Sequence, residues 1–532
     1  MRKQTKIVAA LSATALLALG ASAVTFAAGW DNSTGAWQYL DNNGSAVTDA
    51  WRKSGDYWFY LDSDGSMATD KLIQDGDDYY YVNGDGAMVS NQWVALATDD
   101  DSNAEYRWFY FGSDGKAYRD HNEQVTVSDL KTINGKKYAF DQDGKMLYGW
   151  IDKDSNTIKT GDDAWVDADY YFGGWNDGSA QNGWVQLTVN TDSVRSGDGD
   201  GSDTFWFYFD NNGKKQSNKK KNINGYTFYF DKYGRMIEDW STATKNGADG
   251  FDTPANATDS SPSRASRSTN ADGAARKNQW VWAVPSEDYD KDDYDDDSYS
   301  WWWAQGNGKI FKDGIRKIKG KSYAFDEKGR MLSGIVGVVD GHYTNKYNGK
   351  DKWLDLSKDA YLDQAASLGA DQKLYYFSSD EKKDGSRKSG YQNVEFDDDS
   401  YQMYFKTNGE AENNYVSKIK KYVAYGVVLK ADNEESNLAG VQVDSANRKK
   451  LVGRNVEYYG TANIADGNHV LVNAAGAVQE KKTNVKDSND VYYLTDKDGV
   501  ILYAGDKKTY NSKSKDHENE ITLPNGKKVY TE

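Results

Sequence analysis

Pairs of aromatic side chains two residues apart recur along this chain: Trp37/Tyr39, Trp58/Tyr60, Tyr79/Tyr81, Trp108/Tyr110, Trp206/Tyr208 and Trp301/Trp303. The face of an aromatic ring is electron-rich, so converging rings can hold a quaternary ammonium at about 0.5–2 kcal/mol per good contact. The same faces can stack on the C–H face of a sugar. Both are binding chemistries, and neither turns a substrate over. The competing reading is that the rings only pack between neighbouring elements.

Residues suited to catalysis are sparse. The four histidines, His121, His342, His469 and His517, fall in no HExxH or Cys/His spacing. The absence of cysteine excludes disulfides and thiolate-bound metals. Acidic residues are abundant but sit in turns, where Asp and Asn are favoured for backbone reasons. A carboxylate pair assembled in space within 336–430 is the enzymatic route left open. Asp198-Gly199-Asp200-Gly201-Ser202-Asp203 resembles a calcium loop in part, but it lacks the closing Glu and flanking helices. A solvated acidic loop is the preferred reading there and at Asp288 through Asp297. No cofactor is expected, with calcium in these acidic loops as the second reading.

The elements that must position the rings are short hairpins. In Trp58-Phe59-Tyr60-Leu61-Asp62-Ser63-Asp64-Gly65 four strand-forming residues run into a turn, and a second short strand leads to Met67. The phrase recurs at a period of about 20 residues over 29–91, too short for each unit to bury its own apolar face. Stacking of units is therefore required. Over 92–430 the repeat becomes compound, reopening at Trp93, Trp184, Trp280 and Tyr391, with acidic loops such as Asp99-Asp100-Asp101 inside it. Residues 241–277 are rich in Ser, Thr, Ala, Gly and Asn and read as a disordered insertion. Residues 431–532 read as divergent β repeats or a C-terminal cap. The expected fold class is all-β: an elongated solenoid of stacked β-hairpin repeats with acidic loop insertions.

Comparison of the copies separates two faces, because successive strand residues point to opposite sides. Strand positions one to four are counted on Trp58, Phe59, Tyr60 and Leu61. Position four is apolar throughout (Leu61, Val82, Phe111, Phe140, Phe209, Phe230, Phe325), and position two is large and apolar or aromatic except at Gln38. That is the core face. Positions one and three change from Trp/Tyr to Lys137/Ala139, Thr227/Tyr229 and Ser322/Ala324 without loss of the repeat. They are expected to be dispensable for the core, and where aromatic to mark recognition.

Residues 1–28 read as a signal peptide, with Arg2, Lys3 and Lys6 before an apolar run from Ile7 to Leu19 and small residues after it. Its removal would take the net charge from -17 to -20, which disfavours nucleic acid as a partner. No integral membrane span is expected after that cleavage. The expected location is outside the cell, at the cell wall or surface, held non-covalently.

These residues resemble the cell-wall-binding repeat family of Gram-positive surface proteins, which includes choline-binding and glucan-binding repeats. The shared phrase is Gly-Trp, a turn, three aromatics, a turn ending in Gly, and a Met. Residues 29–91 are most similar to the choline-binding form, and the Ile-Asn-Gly-Lys…Tyr-x-Phe-Asp…Gly-x-Met copies to the glucan-binding form. The resemblance implies ligand cages between successive hairpins, at Trp30/Trp37/Tyr60, Trp51/Trp58/Tyr81 and Trp184/Trp206/Tyr229. It implies broken cages where Leu72 replaces the tryptophan and where Ala139 and Ala324 leave gaps. The implied partner is a cell-wall polymer, either choline-bearing teichoic acid or a glucan, and the implied protein is not an enzyme. Two alternatives stand beside it: an adhesin binding a host or protein partner through the acidic loops, and a wall-associated glycan hydrolase.

Overall fold

The computed structural model describes residues 28–97, 104–121, 129–152, 158–192, 194, 201–238, 240–243, 251–252, 266–270, 272–285, 290–347, 351–353, 356–368, 373–379, 385–396, 399–457, 464–513 and 519–532. Residues 1–27, Asp99–Asp101 and Asp198–Asp200 lie outside them. The chain forms two compact units, one of residues 1–253 with 271–274 and one of 254–270 with 275–532. Both are built almost wholly of antiparallel strands.

In the first unit the hairpins Ala50–Ser54/Tyr57–Leu61, Lys71–Asp75/Asp78–Val82 and Gln92–Ala97/Tyr106–Phe111 follow one another. Each ends in a turn whose Asp or Asn is a backbone acceptor. Asn83 Oδ1 accepts from the N–H groups of Asp85 and Ala87, both at 3.0 Å, and Asp141 Oδ1 from those of Asp143 and Lys145, at 3.0 and 2.7 Å. The turn acids are thus spent on the backbone, as expected from their placement.

Successive hairpins are joined by two devices. The first is a hydrogen bond from the residue after each turn to the position-one carbonyl of the hairpin before. Met67 donates to Trp37, Met88 to Trp58, Met146 to Trp108 and Met236 to Trp206, all at 2.7–2.8 Å. The second is a close seat of that same side chain against the next turn. Gly86 has φ +77°, and a Cβ there would lie 2.7 Å from Met67 Cε. Only glycine meets both demands, a left-handed backbone and no side chain. Met88 seats on Gly115 and Met146 on Gly178 in the same way. The methionine and the turn glycine of the phrase are therefore one contact made between repeats.

The core follows the expected alternation. Phe59, Leu61, Phe109, Phe111, Phe207 and Phe209 are buried, whereas Trp58 and Trp206 are 41% and 38% exposed. One part of the expectation is corrected. Position three of the second hairpins is not dispensable, since Ala139, Tyr229 and Ala324 are all buried. Ala139 packs with Leu147, Ile151, Tyr170 and Phe172, and Ala324 with Leu332, Val336, Tyr375 and Phe377. The cause is a further hairpin on that side, at Trp150–Ile151/Tyr170–Tyr171 in the first unit and Gly334–Val339/Leu374–Phe377 in the second.

Residues 241–277 also depart from a disordered insertion where they are described. Trp240–Ala243 pairs with Phe251–Asp252, Ser266–Ser268 is a strand, and Thr269 bridges Ala275. Residues 244–250, 253–265 and 271 lie outside the described set. The second unit contains a ten-residue helix, Lys358–Ser367, capped by Ser357 and burying Tyr361, Leu362 and Ala365. Over 431–532 three three-stranded sheets continue the β-structure, and the turn glycines still seat on earlier residues, Gly476 against Val428 and Gly499 against Val478.

Candidate functional site

The tryptophan that opens each of these repeats stands opposite position three of its own hairpin: Trp30 faces Tyr39, Trp51 faces Tyr60 and Trp184 faces Tyr208. Its other contacts run forward. Trp30 meets Phe59 edge-on at 5.3 Å, and Trp51 meets Tyr80 at 5.2 Å. Trp184 meets Phe228 at 4.7 Å and Phe230 at 5.7 Å. This ring is half-buried and ties one hairpin to the core face of the next.

The three expected cages are assembled to different degrees. In the first, the ring contacts of Trp30 run to Tyr39 and Phe59, and Tyr60 packs at 5.1 Å against Trp51. Trp37 is tied in through its carbonyl, which accepts from Met67. In the second, the Trp51 indole donates to Asp75 Oδ2 at 3.2 Å, Trp58 is exposed, and Tyr81 donates to Asp70 Oδ1 at 3.4 Å. Burial, followed by the Asp49, Asp75 and Asp62 carboxylates, raises the Tyr60 hydroxyl; burial and Asp70 raise that of Tyr81. Both hydroxyls are neutral at physiological pH. In the third, Trp184 and Trp206 meet at 6.3 Å with planes 89° apart, while Tyr229 is 1% exposed and lies within the core.

The perpendicular tryptophan pair is a repeated feature. Trp93/Trp108 stand at 6.4 Å and 84°, and Trp280/Trp301 at 6.2 Å and 81°. In each, the inner ring is fixed on several sides and the outer ring belongs to position one. Trp280, for example, is held by Trp303, Tyr323 and Phe325. Such a corner offers two ring faces at right angles to a compact cation. The buried alanines 139 and 324 are part of the core, so these two corners owe nothing to a gap.

Sequence reasoning passed over a repeat at Gly149-Trp150. Trp150 faces Tyr171 and packs forward on Phe207 at 5.7 Å and Phe209 at 6.3 Å. The Gly-Trp dipeptide and Tyr170-Tyr171-Phe172-Gly173 were its signals, obscured because position one is Asp169. Where the phrase has Met, the next repeat, Trp184…Phe209, has Lys215, whose N–H donates to the Asp169 carbonyl of this one at 2.7 Å. The Lys215 ammonium lies 5.4 Å from the centre of the Trp150 ring and donates to the Trp165 carbonyl at 2.6 Å. Burial, opposed by Asp169, Asp231 and Asp167, lowers its pKa to about 8. Beside it the Arg235 guanidinium is ion-paired to Asp231 at 2.6 Å and lies within 5.0–5.7 Å of the ring centres of Phe205, Tyr233 and Trp165. These aromatic surroundings are filled by the chain's own cations.

The acidic loop at Asp288–Asp297 is likewise in part internally matched. Asp290 is buried, accepting ion pairs from Lys328 at 2.7 Å and Arg330 at 3.0 Å. Arg330 also pairs with Asp293 and, at 2.8 Å, with Asp326. Burial opposes the Arg330 charge, but these carboxylates outweigh it and raise its pKa. Asp288 lies outside the described residues. Among the described residues no group of three or more His, Cys, Asp or Glu side chains is placed to hold a metal ion. No helix among them is long and apolar enough to cross a membrane.

Comparison with known proteins bears on the repeats. Residues 47–93 match the family model described as choline-binding repeat. A 143-residue stretch, 27% of this chain, is 30% identical to glucosyltransferase-S of Streptococcus mutans serotype c and spans 7% of that protein's length. Among solved structures, the modular autolysin LytC of Streptococcus pneumoniae is 19% identical, with 62% of this chain and 58% of that chain covered and a TM-score of 0.31. The choline-binding domain of CbpL from Streptococcus pneumoniae is 21% identical (47% of this chain, 97% of that one, TM-score 0.27). Choline binding protein F from Streptococcus pneumoniae is 16% identical (77% and 100%, TM-score 0.22). At such TM-scores these structural likenesses carry no argument. The hairpin phrase and the matched segment together show that this chain carries the choline-binding repeats of the cell-wall-binding repeat family, at residues 47–93.

Proposed function

We propose that the protein is exported and acts at the cell surface as a non-catalytic binder of a cell-wall polymer. The ligand unit is a quaternary ammonium, as on choline-decorated teichoic acid, seated in the perpendicular tryptophan corners. The observation that carries this reading is Trp184/Trp206: one ring is anchored in the core, and the other is exposed at right angles to it. A cation there would meet two ring faces, and several weak corners on one chain would act together on a polymer. The acidic balance of the chain favours a cationic decoration on the polymer it holds.

Calorimetry of the full chain with choline tests it. Saturable binding that quenches tryptophan fluorescence, and that weakens in Trp206→Ala, is the expected result. Heat and fluorescence unchanged by choline would overturn it. Release of reducing sugar or muropeptides from cell walls would replace it with the hydrolase.

A further inference from the structure

Among the described histidines His121 and His342 are exposed, and only His469 is buried, with 4% of its side chain open to solvent. It begins the strand His469–Asn473, an outer strand of a three-stranded sheet. The central strand is Leu438–Val443, and the other outer strand is Leu451–Glu457. The register sets His469 opposite Gln442 and Glu457 opposite Gly440. Gln442 and Gly440 are two residues apart on one strand, so all four share a face. Gly440 has no side chain to stand between the outer strands, and a Cβ there would lie 3.6 Å from His469 Cδ2. The imidazole therefore lies over the central strand, on the side of Glu457.

Both ring nitrogens face carboxylates. Nδ1 is hydrogen-bonded to Asp466 Oδ1 at 3.1 Å, and that oxygen also accepts from the Asn468 N–H at 2.7 Å. An ionised Asp466 can only accept, so it holds the ring proton on Nδ1 and leaves a lone pair on Nε2. Nε2 lies 3.3 Å from Glu457 Oε2, is fully buried, and forms no hydrogen bond among the described residues. Two acceptors so placed repel each other unless they share a cation. Their spacing is that of two ligands on one metal ion. With Zn–N of about 2.0–2.1 Å and Zn–O of about 2.0–2.2 Å, a tetrahedral centre sets nitrogen and oxygen about 3.3–3.5 Å apart. The Asp466 contact fits the same picture, because a metal-bound histidine gives its other N–H to a carboxylate or carbonyl. Glu457 is 48% exposed, which gives water access to the remaining positions.

We propose that His469 Nε2 and Glu457 bind a divalent transition-metal ion of the zinc type, with Asp466 orienting the imidazole and water completing the shell. Imidazole beside carboxylate suits Zn²⁺ better than Ca²⁺, which takes oxygen ligands. The ion would clip the two outer strands to each other across the central one. With two protein ligands it is an open site, holding fewer than catalytic and structural zinc centres use. It lies in the sheets beyond residue 430 and shares no residue with the ammonium corners.

The test strips the full chain with EDTA and titrates it with ZnCl₂ by calorimetry, with CaCl₂ as competitor. Saturable Zn²⁺ binding that excess Ca²⁺ does not displace is the expected result. Glu457→Gln and His469→Gln should each weaken it about tenfold or more, and Asp466→Asn by about 10–100-fold. His342→Gln, which removes an exposed histidine paired to Asp313 at 2.7 Å, should leave it unchanged. Zn²⁺ should also raise the melting temperature of the parent but not of Glu457→Gln. Because the Glu457 side chain is exposed, that variant keeps the test independent of any folding defect in His469→Gln. Absence of saturable Zn²⁺ binding overturns the proposal, as does affinity that survives both glutamine substitutions. Zn²⁺ fully displaced by Ca²⁺ would assign the binding to the acidic loops and overturn it too. Stability that rises with falling pH and ignores Zn²⁺ would make the shared cation a proton.

Discussion

Lys215 places its ammonium 5.4 Å from the centre of the Trp150 ring, at the position where neighbouring repeats have methionine. The backbone contact is unchanged, since its N–H still reaches the preceding hairpin. The side chain still seats on the next turn glycine, Gly234. Only the chemistry has switched, from a thioether to a cation matched by Asp169, Asp231 and Asp167.

That switch has a pH signature. Burial lowers the folded-state pKa of Lys215 to about 8, below its ordinary 10.5. The unfolded chain therefore binds the proton more tightly, and stability is expected to rise as pH climbs from about 8 toward 10.5. The full difference is on the order of 3 kcal/mol. Thermal unfolding of the parent and of Lys215→Met across pH 7.5–10 checks this. Their difference in stability should shrink with rising pH, and a constant difference would show that Lys215 is not the titrating group.

Alternation along one strand separates binding from stability. Trp206 is 38% exposed and its neighbour Phe207 is wholly buried. Phe207→Ala is expected to cost about 3–5 kcal/mol in urea unfolding. Trp206→Ala should cost well under 1 kcal/mol while weakening choline binding in calorimetry. The opposite pattern would mean that the face assignment is wrong.

Arg330 binds three carboxylates, those of Asp290, Asp293 and Asp326. Arg330→Ala strands the buried Asp290 and Asp326 with less compensation, and is expected to cost about 3 kcal/mol. Arg330→Lys should recover part of that loss, because a lysine cannot span the three acids as a planar fork does. Denaturant midpoints of the three proteins decide the matter, and near-equal midpoints would count the cluster as solvated.

Gly86 joins repeats through Met67. Gly86→Ala adds a Cβ at φ +77° and forces Met67 aside, at an expected cost of about 1–2 kcal/mol. Gly76→Ala, also at positive φ but with open space around it, should cost only the backbone part. Comparing the two by thermal melting isolates the contact between repeats.

The local rules of this protein are written in its sequence. Alternating aromatic and aliphatic residues before Asp-x-Asp-Gly turns specify antiparallel hairpins, and they place Phe59 and Leu61 inward and Trp58 outward, because strand periodicity and turn chemistry are local. Copies within one chain supplied the comparison that identified the core face. What lies between hairpins was decided only by tertiary structure. The burial of Ala139, Tyr229 and Ala324 depends on which hairpin stacks next, and the repeat at Trp150 stayed hidden because Asp169 stands at its position one and Ala180 in the place of its methionine. The ion pairs of Arg330 with Asp290 and Asp293 span 37 to 40 residues, so no local pattern announces them. Ring angles are of the same kind. A strand pattern can say that Trp184 and Trp206 share one face of their hairpin, as Trp280 and Trp301 do of theirs. Whether two such rings meet at right angles depends on which side chains pack behind them.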